Sequence, residues 1–153
     1  MRRSEDPLTR SAHRKAGAYL FNHTWSLLGK PRRSAADAEE MLHAAHASRY
    51  HWGRVGRPVN FAVGEWQISR VYSELGRAEP AGFHAQRSLE IARHARLGRF
   101  YIAYAYEALA RASSIAKRRR ERDRFLQAAR RVGRGIRDRD DQRMLWEDLA
   151  TIR

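Results

Sequence analysis

Apolar residues recur at every third or fourth position along most of this chain, and short segments rich in glycine, proline or arginine interrupt the pattern. In the first stretch, the spacing of Ala18, Phe21, Trp25 and Leu28 places all four on one face of an α-helix. Val, Ile and Thr are sparse, and the sustained two-residue alternation of a half-buried strand does not occur. The sequence therefore predicts an all-α protein.

The interruptions predict where the helices begin and end. Ser34 is a favourable N-cap, Pro58 suits the first turn of a helix, and Gly76 suits a helix stop. The predicted helices cover about residues 8–28, 34–54, 58–75, 79–95, 99–116, 121–132 and 138–152. Because the connections are short, we predict one domain over residues 1–153, with antiparallel hairpins at about 8–54, 58–95 and 99–134 and a capping helix at about 138–152.

Composition excludes several kinds of site. A chain of 153 residues without cysteine has no disulfide, no thiolate metal site and no cysteine nucleophile. The charged start, MRRSEDPLTRSAHRKAG, leads into no apolar stretch long enough for a signal peptide, and no run approaches the roughly 18 apolar residues that span a bilayer. We therefore expect a cytoplasmic protein with no membrane association, and no motif indicates a cofactor.

The formal net charge of +14 suggests RNA or DNA as one class of partner. Of the 31 basic residues only Lys15, Lys30 and Lys117 are lysines, which leaves 28 arginines. Such a skew is typical of a GC-rich genome, which would account for part of the charge without any selected partner.

The densest basic run is KRRRERDR at residues 117–124, and further arginines follow it up to Arg137. It would serve either as a sequence-independent patch that contacts phosphates or as a solvated turn partly neutralised by Glu121 and Asp123. No nucleic-acid-binding motif accompanies the run and no aromatic residue lies within it. We therefore favour the solvated turn.

The segment WQISRVYSELGRAEPAGFHAQRSLEIA, residues 66–92, carries an ordered pattern of small residues, an aromatic residue and a Leu-Gly turn: Ser69, Tyr72, Leu75, Gly76, Ala81 and Ala85. This pattern resembles a tetratricopeptide repeat, in which two antiparallel helices pack closely through small residues and an aromatic side chain fills the gap. The resemblance implies a solenoid of helical hairpins.

Two further units repeat this pattern less well, so the resemblance covers about residues 16–132. A shift of 47 residues toward the N-terminus aligns Leu28-Gly29 with the Leu-Gly turn, whereas a shift of 41 toward the C-terminus puts Ser113 where the aromatic stands and Arg122 where an alanine is expected. Both offsets exceed the usual period of about 34 residues, so the units would be elongated. The combination of AAHASRYHW with GEWQISRVY is also similar to small bacterial proteins of this type, a resemblance that implies no activity.

In this family the first helix of each hairpin lines a concave groove where partners bind. Carried over by position, the resemblance implies these partner-binding residues: Tyr19, His23, Trp66, Arg70, Tyr104, Glu107 and Arg111. The groove would be aromatic and cationic, and it would hold an acidic or C-terminal peptide segment because arginine binds a carboxylate through two parallel hydrogen bonds. The alternative is that Trp66 packs against the neighbouring hairpin and that the arginines are solvated or paired with Glu74 and Glu107.

The second helix carries a polar stripe formed by Glu39, His43, His46 and Tyr50, which step by four, three and four residues and so share one face. The first three are candidate zinc or iron ligands, and all four are candidate catalytic residues, with a histidine as base. Glu40 and His43 match one copy of the Glu-x-x-His spacing of di-iron bundles, but no second copy occurs. Hydrogen bonding between adjacent hairpins is the alternative role for this stripe.

The sequence thus favours a non-catalytic protein- or peptide-binding scaffold. A small enzyme or metal protein that uses the polar stripe comes second, and a basic nucleic-acid-associated accessory protein comes third. The two open ends of a three-hairpin array would also allow self-association.

Overall fold

The computed structural model describes residues 6–153, which form seven α-helices and no strand. The helices are α1 (Arg10–Leu28), α2 (Ala35–Val55), α3 (Pro58–Glu74), α4 (Ala78–His94), α5 (Arg99–Ile115), α6 (Arg119–Gly133) and α7 (Arg139–Ala150). Every observed end lies within two residues of its predicted position, and the prediction of an all-α protein is confirmed. Residues 1–5, with which the charged N-terminal segment begins, lie outside the described residues.

At three helix starts the side chain of the N-cap residue accepts a hydrogen bond from the first turn. Thr9 accepts a hydrogen bond from the backbone N–H of Ala12, and Asp138 accepts two at the start of α7. Ser34 and Asp37 form a reciprocal capping box at the start of α2, as the choice of Ser34 as N-cap predicted. Each cap contributes about 1 kcal/mol to the free energy of unfolding.

The helices α3, α4 and α5 all end in one turn geometry. The second residue beyond each helix takes a positive φ: Gly76 (69°), Arg96 (52°) and Lys117 (58°). In each case the next N–H donates to a carbonyl five residues back, as from Arg77 to Tyr72 (2.9 Å). This is the Schellman arrangement, so the short connections reverse the chain without leaving helix carbonyls unpaired.

Each helix packs against its neighbours in the chain, and the pairs α1–α2, α3–α4 and α5–α6 share the most extensive contacts. In addition, α3 contacts α1 and α5, while α7 packs against α5 and α6. The core residues around the first helices include Met41, Ile68 and Val71, and those around the last include Leu145 and Leu149.

Buried serines join helices at close approach. The Ser48 hydroxyl donates to the carbonyl of Gly17 (2.8 Å) between α2 and α1, and the Ser88 hydroxyl donates to that of Ala62 (2.8 Å) between α4 and α3. A methyl group on Gly17 would lie only 3.0 Å from Nε1 of Trp52, so the small residue is what allows this approach. None of the helices in the described part of the chain combines the length and apolar character needed to cross a membrane.

Candidate functional site

A cavity of about 440 Å³ lies among helices α1, α3, α5 and α7, and Ser88 of α4 also lines it. Its lining is mostly aromatic and apolar, with two charged residues: Trp25, Ala62, Val63, Trp66, Arg70, Ser88, Phe100, Tyr101, Tyr104, Met144 and Asp148. The volume falls within the range of about 300–1,000 Å³ typical of ligand pockets, whose walls are likewise apolar with a few polar groups.

Aromatic rings in contact with one another form the wall of this cavity. The centroids of Trp25 and Trp66 lie 5.4 Å apart, those of Trp66 and Tyr104 lie 5.5 Å apart, and those of Phe100 and Tyr104 lie 4.8 Å apart. Each ring limits the rotamers of the next, so the wall is preorganised across three helices. A ligand that enters it would lose little free energy to side-chain ordering.

Arg70 is the cationic group of the cavity wall. Its side chain is 22% exposed, and its guanidinium makes only two long ion pairs, 3.6 Å to Glu107 and 3.7 Å to Glu74. Within residues 6–153 no side-chain hydrogen bond involves Arg70. A planar group with five N–H donors therefore stands at the cavity with its hydrogen-bonding capacity unused.

Arg111 differs from Arg70 because its donors are already occupied. Its Nε donates to Oε1 of Glu107, whose side chain is 1% exposed, at 2.7 Å, and its Nη2 forms an ion pair of 2.5 Å with the same oxygen. Its Nη2 also donates to the Asp148 carbonyl (3.1 Å) and to the Thr151 hydroxyl (2.9 Å). Trp66 completes the environment of Glu107 with a hydrogen bond of 3.4 Å from Nε1.

Tyr104 connects the cavity wall to α7. Its hydroxyl donates to Oδ2 of Asp148 at 2.7 Å. Burial, and then the hydrogen bond and charge of Asp148, raise the pKa of Tyr104, so this hydroxyl remains protonated and continues to donate. Two arginines, Arg70 and Arg111, lie near two carboxylates, Glu107 and Asp148, so the formal charges of these four side chains sum to zero. Of the two arginines, only Arg70 lines the cavity, and the cationic character expected of the groove is concentrated there.

The predicted partner-binding residues fall into three groups. Trp66, Arg70 and Tyr104 line the cavity, while Glu107 and Arg111 form the ion pair that adjoins it. Tyr19 and His23 do not line it: Tyr19 is 66% exposed and stacks on His23, which lies 2.6 Å from Glu40.

Eight cavity residues were absent from the predicted set: Trp25, Ala62, Val63, Ser88, Phe100, Tyr101, Met144 and Asp148. The close spacing of Phe100, Tyr101 and Tyr104 in RFYIAY was a signal that could have indicated an aromatic wall on α5. No sequence signal indicated the two residues from α7, because their position depends on how α7 docks against α5 and α6.

The polar stripe on α2 does not form one site. Glu39 and His43 are exposed and 3.9 Å apart, whereas His46 turns toward α3 and α4, where Nε2 lies 3.1 Å from the Tyr72 hydroxyl. Tyr50 is 60% exposed and contacts the rings of His13 and His51. The predicted ligands Glu39, His43 and His46 are therefore not brought together, and within residues 6–153 no group of three His, Asp or Glu side chains is placed to hold a metal ion.

A largely buried carboxylate, that of Glu65, lies near His46 with two hydrogen-bond donors, and the sequence did not indicate this group. Glu65 accepts hydrogen bonds from Nδ1 of His84 (2.6 Å) and from Nε of Arg49 (3.1 Å), so this carboxylate links α2, α3 and α4. Burial by itself raises the pKa of Glu65, but the hydrogen bond and charge of His84 and the charge of Arg49 outweigh it and lower the pKa. Burial and the nearby charge of His84 lower the pKa of His46.

Comparisons of the chain with protein-family models, with curated proteins and with solved structures found no match. Functional inference therefore has to start from the contacts within this chain.

Proposed function

We propose that this chain is a non-catalytic peptide-binding protein whose cavity receives the C-terminal residue of its ligand. The apolar side chain of that residue packs among the rings, and its carboxylate accepts hydrogen bonds from Arg70. The observation that carries the proposal is the guanidinium of Arg70, which stands with unused donors at the wall of an otherwise aromatic cavity.

The chemistry of the cavity supports a ligand with an apolar body and one anionic group. Trp25, Trp66 and Phe100 offer aromatic surface, and burial of apolar area there is favourable by about 25 cal/mol per Å². An arginine fork matches a carboxylate through two parallel hydrogen bonds, which are stronger than those between neutral groups. Asp148 also lines the cavity, and the Tyr104 hydroxyl holds its carboxylate in place. The charge of this carboxylate would repel a ligand that carries further negative charge deep in the cavity.

We also propose that the helices form three hairpins arranged as a short tetratricopeptide-like solenoid, with α7 as a cap. The extensive pairing of α1 with α2, α3 with α4 and α5 with α6 supports this arrangement. So does the recurrence of one buried bond, from Ser48 to Gly17 in the first pair and from Ser88 to Ala62 in the second. In such a solenoid the first helices would share one concave face, and α1, α3 and α5 all contribute rings to the cavity.

The test uses short acetylated peptides that end in phenylalanine, tryptophan or glycine, each prepared as a free acid and as an amide. Binding is followed by tryptophan fluorescence, since Trp25 and Trp66 line the cavity. We expect an aromatic free acid to bind at least about tenfold more tightly than its amide, because a hydrogen bond to a charged group contributes about 1.5–3 kcal/mol.

Two variants of equal charge separate the role of Arg70 from a general effect of charge. In Arg70→Gln the difference between acid and amide should disappear, whereas in Arg14→Gln, an exposed substitution on α1, it should persist. If the wild type binds acid and amide equally, the role of Arg70 is wrong. If no peptide binds but phenylacetate does, the cavity belongs to a small-molecule site and the peptide function is wrong.

A further inference from the structure

The outer face of α6 presents a continuous row of cations. Arg120, Arg124, Arg131 and Arg134 are all exposed, with Gln127 between them. Arg134 is the C-cap residue that directly follows α6, and its backbone keeps helical dihedral angles. At 3.6 residues per turn these five positions lie within an arc of about 80°, and at 1.5 Å per residue they extend over about 21 Å. We call Arg120, Arg124, Arg131 and Arg134 the α6 arginine stripe.

None of the four side chains takes part in an ion pair or side-chain hydrogen bond within residues 6–153. Two neighbouring arginines, Arg118 and Arg122, form ion pairs with Glu121 (3.8 Å) and Asp123 (2.8 Å). Both acidic residues of α6 therefore pair with arginines that do not belong to the stripe. With Arg119 and Arg130, α6 exposes more unpaired arginines than any other described helix. The next is α1, with Arg10 and Arg14.

The stripe lies opposite the face by which α6 is held in the fold. Leu126, Ala129 and Gly133 are buried, and Phe125 and Val132 pack against the same core. The apolar side chains of Phe125, Leu126, Ala129 and Val132 thus face the core, and neither an apolar nor an acidic residue belongs to the stripe. Self-repulsion among unpaired charges works against the fold, so a selected polyanionic partner would explain their retention.

We propose that the α6 arginine stripe binds the phosphodiester backbone of a duplex nucleic acid without reading its sequence. Arginine forks hydrogen-bond phosphate oxygens, and successive arginines at about 4.5–10.5 Å along a helix suit a ligand that carries a row of repeated charges. The only uncharged polar side chain between the arginines of the stripe is that of Gln127, so the binding would rest on phosphate contacts and would be independent of base sequence.

Two other polyanions fit this surface less well. A helix that lies in a membrane surface inserts apolar side chains, and those of α6 are committed to the core. Single-stranded nucleic acid is bound through aromatic side chains that stack on bases, and none lies in the stripe. Anionic vesicles and single strands therefore serve as comparison ligands.

The test measures binding of a labelled DNA duplex of about 20 base pairs by fluorescence anisotropy at several NaCl concentrations. For wild-type protein, log K should fall linearly with log[NaCl], because each neutralised phosphate contributes about 0.9 to the slope. The variant Arg120→Gln/Arg124→Gln/Arg131→Gln/Arg134→Gln should reduce the slope by about 3.6 and weaken binding more than tenfold near 0.1 M salt.

A control variant with the same net charge is Arg10→Gln/Arg14→Gln/Arg32→Gln/Arg77→Gln, which removes four exposed and unpaired arginines elsewhere. It should keep a slope within about 1 of the wild type, and both variants should keep the wild-type circular dichroism and thermal midpoint. Equal losses in the two variants, tighter binding of single strands or anionic vesicles than of duplex, or no duplex binding by the wild type would each overturn the proposal.

Discussion

The cavity and the outer face of α6 use arginine in opposite ways. At the cavity, Arg111 is enclosed and bound to a buried carboxylate, and Arg70 is held loosely beside the same Glu107. On α6, the arginines of the stripe are exposed and unpaired. The number of cations in a sequence therefore says little about function, because the neighbours of each guanidinium decide whether it stabilises the fold or is available to a ligand.

The largest effect is expected from Glu107→Gln, which removes the charge that Arg111 and Arg70 share. Breaking a buried ion pair by removing one partner costs about 3–5 kcal/mol, and the slight exposure of Arg111 places the expected loss near 3 kcal/mol. Urea unfolding at neutral pH measures it.

The matched control is Arg124→Gln in the α6 arginine stripe, which should change the free energy of unfolding by no more than about 0.5 kcal/mol. Similar effects of the two substitutions would contradict the contrast between the regions.

A smaller effect is expected from Gly133→Ala, at the contact of α6 with α7, the helix that also completes the cavity. A Cβ atom there would lie 2.5 Å from Leu145 Cδ2 and 2.9 Å from Trp146 Cη2. Overpacking of this kind costs about 1–3 kcal/mol, against a gain of up to about 1 kcal/mol in helix propensity. We therefore expect a net loss of about 1 kcal/mol in urea unfolding.

Gly82→Ala on α4 provides the comparison for that substitution. Its new Cβ would meet only the Cβ of Ala112, at 3.9 Å, so this variant should be stabilised by about 0.5–1 kcal/mol. If Gly133→Ala were stabilised to the same extent, α7 would be docked less tightly than the structure has it.

The smallest effect concerns pH, because neither arginine region titrates below about pH 12. Burial lowers the pKa of His46, assisted by the charge of His84, and burial with the charge of His13 lowers the pKa of His51. A histidine with a depressed folded-state pKa binds fewer protons in the fold than in the unfolded chain. The free energy of unfolding should therefore fall as the pH drops from about 7 through the unfolded-state value near 6.5 toward the folded-state pKa.

Unfolding measured between about pH 7.5 and 5 tests this dependence, and His46→Asn/His51→Asn should flatten it. A double variant with the wild-type pH profile would show that other groups carry the dependence.

Local signals located the helices closely. These signals act within a few residues of chain and can therefore be predicted from the sequence: the N-cap at Ser34, the proline at Pro58 and the turn at Gly76. No glycine stands at the positive-φ positions of the next two turns, which are occupied by Arg96 and Lys117. These residues adopt a positive φ because the helices on either side require it.

The candidate site was predictable only in part. Trp66, Arg70 and Tyr104 were expected at a groove and line the cavity, since the helical repeat determines which side chains share a face. His46 was a candidate to share a site with Glu39 and His43, and hydrogen bonding between adjacent helices was the alternative role. The contact of His46 with the Tyr72 hydroxyl on α3 and with the His84 ring on α4 fits that alternative. The projection of a single helix shows which residues share a face, but it does not show which residues of other helices lie against that face.

The sequence by itself determined the helical class and the approximate bounds of the seven helices, because periodicity, caps and breakers act over a few residues. The pairs of Arg111 with Glu107 and of Arg70 with Glu74 are contacts between residues four apart on one helix, which the sequence allowed. Only the tertiary structure decided that Arg70 of α3 also lies 3.6 Å from Glu107 of α5. It also decided that α7 closes the cavity with Met144 and Asp148. Ion pairing and cavity formation depend on distances between helices, and those distances arise from the packing of the whole chain.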